Sequence, residues 1–237
     1  MKRLELAKRD AKELVKSHFP HCNVALLAGS IVRGEGTKTS DLDLVVFDPS
    51  VTNSYRENLY YKKWPVELYV HNFNTYQSFY NSDCERGKPS MPRMVAEGII
   101  LIDEGSCKEL KEEAKRILEA GPKSWDEDTI RLKRYFLTDV LEDFIGATER
   151  GEELCCALAL LEQLHEFILR MNNHWTGSSK WIMRALKQFD SELASEFEEV
   201  FDNYFKIGRK GDVIKFVDDQ MSPYGGRLFE GFSIGKN

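Results

Sequence analysis

Apolar residues recur along this chain with two different periods, and the change from one to the other marks its organisation. Residues 2–17 place Leu4, Ala7, Ala11, Leu14 and Val15 at helical spacing, with lysines, arginines and glutamates between them. A short apolar block, Val24-Ala25-Leu26-Leu27-Ala28, predicts a buried strand that runs straight into Gly29-Ser30. A polar loop with Gly34, Gly36, Thr37, Lys38 and Thr39 separates it from a second apolar run, Leu42 to Phe47, interrupted only by Asp43. The turn Asp48-Pro49-Ser50, an extended segment over 55–62 and Lys63-Trp64-Pro65 then lead into another strand. In it Glu67, Tyr69 and His71 share one face, opposite Val66, Leu68 and Val70.

The spacing predicts helices over 74–85 and 90–98 around the break Arg86-Gly87-Lys88-Pro89, a strand over 99–102 and a helix over 106–119. Ala120-Gly121-Pro122-Lys123-Ser124 is the clearest linker, and beyond it the pattern is wholly helical. One stripe runs through Ile130, Phe136, Leu137, Val140, Leu141, Phe144 and Ile145, another through Leu154, Leu158, Leu161, His165 and Ile168. The expectation is an α+β protein: a mixed sheet flanked by helices over 1–122, then a helical bundle over 123–237. His165 on its apolar stripe reads as a core histidine, and His18 and His21 beside Pro20 as turn residues.

Composition narrows the class. With 237 residues, 42% apolar and 30% charged, the chain can bury a substantial core and is not disordered. A formal charge of −6 argues against tracking a long nucleic acid and suits a small acceptor that is cationic or neutral. Five cysteines, without Cys-x-x-Cys or zinc-ligand spacing, read as reduced thiols. The N-terminal stretch is charged and amphipathic rather than a signal peptide, and the longest apolar run of the helical half, Leu154 to Leu161, is too short to span a bilayer. The expected compartment is the cytoplasm.

The candidate chemistry sits early. Asp41 and Asp43 lie two apart where the second strand begins, so both project from one face. Paired carboxylates repel unless cations lie between them, and hard divalent ions such as Mg²⁺ take such oxygens. Gly29 permits close approach of backbone or phosphate, and Ser30 offers a hydroxyl at the start of a helical turn, where free N–H groups favour anions. Arg86, Lys88 and Arg93 could help neutralise phosphates, but surface charge is the commoner explanation for each.

The arrangement apolar-Gly29-Ser30, ten intervening residues, then Asp41-x-Asp43 followed by apolar residues resembles the signature of the polymerase-beta-like nucleotidyltransferase superfamily. The resemblance implies that the Gly-Ser turn holds the β- and γ-phosphates and that Asp41 and Asp43 bind two Mg²⁺ ions. It further implies a third carboxylate, matched by Glu67, as metal ligand, general base or both. Residues 176–181 resemble the start of a later helix in aminoglycoside and lincosamide nucleotidyltransferases, where a lysine reaches the triphosphate; Lys180 matches it. Arg33 and Tyr204 join Gly29, Ser30 and Lys180 as candidate nucleotide contacts. The implied reaction moves a nucleoside monophosphate, AMP from ATP or its equivalent from another triphosphate, to a hydroxyl of a small molecule. An aminoglycoside-like antibiotic is one candidate acceptor. The alternatives are an RNA or protein acceptor, or a module that binds nucleotide without turnover, as in a toxin–antitoxin pair.

Overall fold

The computed structural model describes residues 2–235. It begins with α1 (Lys2–His18), which buries Ala7, Ala11, Leu14 and Val15, the stripe expected from the spacing. There follow β1 (Val24–Ala28), the single turn α2 (Gly29–Val32), β2 (Leu42–Phe47), β3 (Tyr55–Tyr61) and β4 (Trp64–His71). The first part closes with α3 (Tyr76–Glu85), α4 (Ser90–Glu97), β5 (Ile99–Asp103) and α5 (Cys107–Ala120). The strands form one sheet in the order β3-β4-β2-β1-β5. Only the β2–β4 pair is parallel; β1–β2, β1–β5 and β3–β4 are antiparallel, so the sheet is mixed as expected.

Side-chain alternation divides the core between the two faces of this sheet. Leu42, Leu44 and Val46 of β2 and Trp64, Val66, Leu68 and Val70 of β4 pack with the apolar stripe of α1. Val45 and Phe47 point the other way, onto Tyr76 and Tyr80 of α3, Met91 and Val95 of α4 and Leu110 of α5. Asp43 and Glu67, each lying between residues of the α1-facing set, therefore leave the sheet on the face away from α1.

The chain divides between Gly121 and Pro122 into two compact units. The second contains α6 (Glu127–Gly146), α7 (Arg150–Met171), α8 (Lys180–Phe189), α9 (Ser191–Ile207) and α10 (Lys210–Met221), followed by a 3₁₀ turn at Ser222–Tyr224. Asp126 caps α6 by accepting the Thr129 N–H, and Asp190 caps α9 by accepting those of Glu192 and Leu193. His165 is buried, with its ring nitrogens at Gly177 O and Leu161 O, as a core histidine should be.

The expected stripe of α7 is corrected. Its core row is Ala157, Leu160, Leu164, Phe167 and Ile168, whereas Leu158 is 55% exposed and Leu154 and Leu161 are half-buried. Residues 154–169 are apolar round much of the helix, so several rows satisfy the same period, and packing against α6, α8 and α9 selects among them. Phe136 and Ile145 of α6 likewise lie outside the core. Among the described residues no helix is long and apolar enough to cross a membrane.

Candidate metal and nucleotide site

The site forms where β1 hands over to α2. Ala28 pairs with Asp43 across the antiparallel β1–β2 ladder, which brings the residue after Ala28 against the Asp43 side chain. Gly29 has φ +79°, and a Cβ added there would lie 1.7 Å from Asp43 Oδ2. Both the backbone conformation and the contact therefore demand glycine. The loop that follows is tied back to the turn: Ser30 Oγ donates to Ser40 Oγ at 3.1 Å, and the Thr37 N–H donates to the same oxygen at 2.8 Å. The Glu35 N–H closes on Ser30 O at 2.9 Å.

On the other side of β2, the parallel register sets Asp43 directly against Glu67 of β4. Asp41, Asp43 and Glu67 each offer an oxygen, and these lie within 4.8 Å of one another, all three side chains half-buried. The electrostatics match that convergence. Burial, then the charges of Asp41 and Glu67, push the Asp43 carboxyl up to about 6, against the opposing pull of Arg33 and Arg56. An all-oxygen set with surplus negative charge is the donor chemistry of a hard divalent cation, so these residues fit Mg²⁺.

Two more residues complete the cluster: Arg56, not singled out from the sequence, and Tyr69, placed there only as sharing the Glu67 face. Arg56 of β3 reaches Glu67 Oε2 at 2.7 Å, and the Tyr69 hydroxyl donates to the same oxygen at 2.7 Å. The Arg56 guanidinium also lies 5.1 Å from the centre of the Tyr69 ring. A signal existed: a tight turn at Lys62-Lys63 pairs Tyr61 with Trp64, and counting back along both strands sets Arg56 opposite Tyr69. Arg33 follows α2 and pairs with Glu35 at 3.1 Å and Glu97 at 3.4 Å; Arg93 also approaches Glu97, at 3.9 Å.

His71 shares the strand face of Glu67 but has another task. It is 2% exposed, its Nδ1 lies 2.9 Å from Ser54 Oγ, and burial lowers it to about 4, so the ring is a neutral packing element against Phe47 and Phe79. In the second unit, Lys180 is exposed at the first position of α8. The expectation for Tyr204 is corrected. Its side chain is fully buried, edge-on to Phe144, with its hydroxyl accepting from Arg150 at 3.0 Å and within 3.4 Å of Glu153. No ring face is open to stack on a nucleotide.

Residues 8–77, which carry Gly29, Ser30, Asp41, Asp43 and Glu67, match the family model described as nucleotidyltransferase domain. Among solved structures, the chain is similar to a nucleotidyltransferase-like protein from Exiguobacterium sibiricum 255-15, at 11% identity and a TM-score of 0.47, over 91% of this chain and 74% of that one. No curated protein matches the sequence.

Proposed function

We propose, starting from the nucleotidyltransferase-domain match over residues 8–77, that the protein transfers a nucleoside monophosphate, AMP from ATP, to a hydroxyl of a small molecule and releases pyrophosphate. The observation that carries this reading is the convergence of Asp41, Asp43 and Glu67 within 4.8 Å beside a glycine that no other residue can replace. Asp41, Asp43 and Glu67 would hold two Mg²⁺ ions, which when bound supply charge neutralisation at the triphosphate and at the attacking oxygen. The Gly29 backbone and the Ser30 hydroxyl would hold the β- and γ-phosphates, the Ser30 proton turning from Ser40 Oγ to a phosphate oxygen. Arg33 adds positive charge beside the same turn.

Glu67 is held by Arg56 and Tyr69 through one oxygen, which leaves Oε1 to act toward the metal or the acceptor. The acceptor hydroxyl approaches in line with the leaving group, the geometry that phosphoryl transfer requires. The test is pyrophosphate release with each nucleoside triphosphate and Mg²⁺, together with mass spectrometry of a panel of hydroxylated small molecules that includes aminoglycosides. A mass gain of one nucleotide on a panel member, lost in Asp43→Asn, is the expected result; turnover retained in Asp43→Asn overturns the assignment.

A further inference from the structure

A second cluster lies on the other face of the sheet, where the start of α1 meets the tip of the β3–β4 hairpin. Arg3, Leu6 and Asp10 of α1, Lys38 and Ser40 of the loop, and Lys62, Lys63, Trp64 and Pro65 of the hairpin line a cavity of about 390 Å³, within the size range of small-ligand sites. Four of these residues are cationic and one is anionic, in a chain whose formal charge is −6.

The single carboxylate is already used. Asp10 is 3% exposed and takes Lys62 Nζ at 3.0 Å, Arg9 at 3.1 Å and the Trp64 indole N–H at 3.1 Å. Lys62, at φ +53°, adopts a conformation rare for a lysine and is held there by Asp10 and by Glu13 at 2.8 Å. The floor of the cavity is thereby locked before any ligand arrives. Arg3, Lys38 and Lys63 remain: among the described residues no carboxylate pairs with them, and Arg3 Nε is buried without a hydrogen-bond partner while its guanidinium lies 5.1 Å from the centre of the Trp64 ring. Leu6, 40% exposed, and Pro65 supply an apolar wall.

We infer that this corner is a second ligand site, distinct from the carboxylate triad, which takes a small phosphate-bearing molecule with an apolar portion of about nucleoside size. The phosphate meets Arg3, Lys38 and Lys63, and the apolar portion lies on Leu6 and Pro65. Trp64 is too buried to stack on a base, so the recognition is of charge and shape. Because Asp43 and Glu67 leave the opposite face of the sheet, the occupant is an effector rather than the reacting substrate. Its route to the reaction is Ser40, which lines this cavity while its hydroxyl accepts from Ser30 and from the Thr37 N–H.

The test is calorimetric titration of full-length Asp43→Asn protein with AMP, without divalent metal, so that the result is independent of the proposed transfer reaction. Expected are saturable AMP binding and adenosine binding at least about tenfold weaker. Adding Arg3→Glu and Lys63→Glu to that background should cost AMP at least about tenfold in affinity, with binding falling as salt rises. Absence of saturable AMP binding, or binding indifferent to the two charge reversals, overturns the inference. Circular dichroism checks the fold of the reversed variant; should it fail, Lys63→Glu alone, at the exposed hairpin tip, is held to the same criterion.

Discussion

Asp10 and Asp43 are both enclosed by the first unit, and their surroundings treat them in opposite ways. Burial would push the Asp10 carboxyl up, but hydrogen bonds from Lys62, Trp64 and Arg9 outweigh it and hold the group below its usual range. Asp43 receives no such company. Burial and the neighbouring charges of Asp41 and Glu67 carry it up to about 6, with Arg33 and Arg56 only partly offsetting them. Asp10 is thus a finished structural joint between α1 and the hairpin, whereas Asp43 is left in deficit of positive charge. A site that stays unsatisfied within a fold that satisfies Asp10 so completely fits the cation-binding role proposed for it.

The contrast can be broken most forcefully at Asp43. Asp43→Asn should lower Mg²⁺-dependent pyrophosphate release by at least about a thousandfold. The same substitution should raise the melting temperature of the metal-free protein, since it removes a carboxylate that its neighbours repel. A pyrophosphate-release assay checks the first half and scanning calorimetry of the metal-free protein the second, and a drop in metal-free stability would erase the distinction from Asp10.

Gly29→Ala is the next largest. A Cβ at 1.7 Å from Asp43 Oδ2, on a backbone with φ +79°, should cost at least about 2 kcal/mol and displace the carboxylate. Urea unfolding measures the first effect, and loss of Mg²⁺-induced thermal stabilisation the second. Asp10→Asn should destabilise by about 2 kcal/mol, because a buried network loses charge-assisted bonds, while Mg²⁺ binding stays unchanged. An Asp10→Asn protein that bound metal more weakly would tie the two corners together.

The smallest effect is in the pH dependence. The folded Asp43 carboxyl, near 6, binds its proton more tightly than in the unfolded chain, where its ordinary value is 3.8. Between those values the folded state holds the extra proton, so the Asp43 contribution to stability falls as pH rises through that window. The stabilisation of Asp43→Asn over the parent should therefore be full above about pH 6 and fade as pH falls toward 4, and paired denaturant titrations across that range check it. Mg²⁺ affinity of the parent should weaken over the same descent, as the proton competes for the ligand oxygen.

Much of the fold is legible in the chain because it is local. Strand and helix periods, the Gly121-Pro122 break and the Asp-x-Asp spacing each act within a few residues, and the elements lie close to where those patterns predict them. The site is legible only in part. Asp43 lies in β2 and Asp41 two residues earlier, just before the strand begins, so their common side follows from extended-chain alternation; their meeting with Glu67 depends on β4 adding parallel to β2, which pairs Asp43 with a residue more than twenty positions on.

What the sequence by itself determined is therefore the set of elements and the chemistry carried on each: a glycine-serine turn, one acid at the entry to a strand and one within it, a third on another strand. Tertiary structure alone decided the partners. It set Arg56 and Tyr69 on Glu67, enclosed Tyr204 among the helices, chose Ala157 and Leu160 over Leu158 for the core, and gave Asp10 three donors while leaving Asp43 with like charges. The reason is physical. Periodicity reports which faces a segment can bury, whereas charge compensation and burial depend on which other segment arrives at that face.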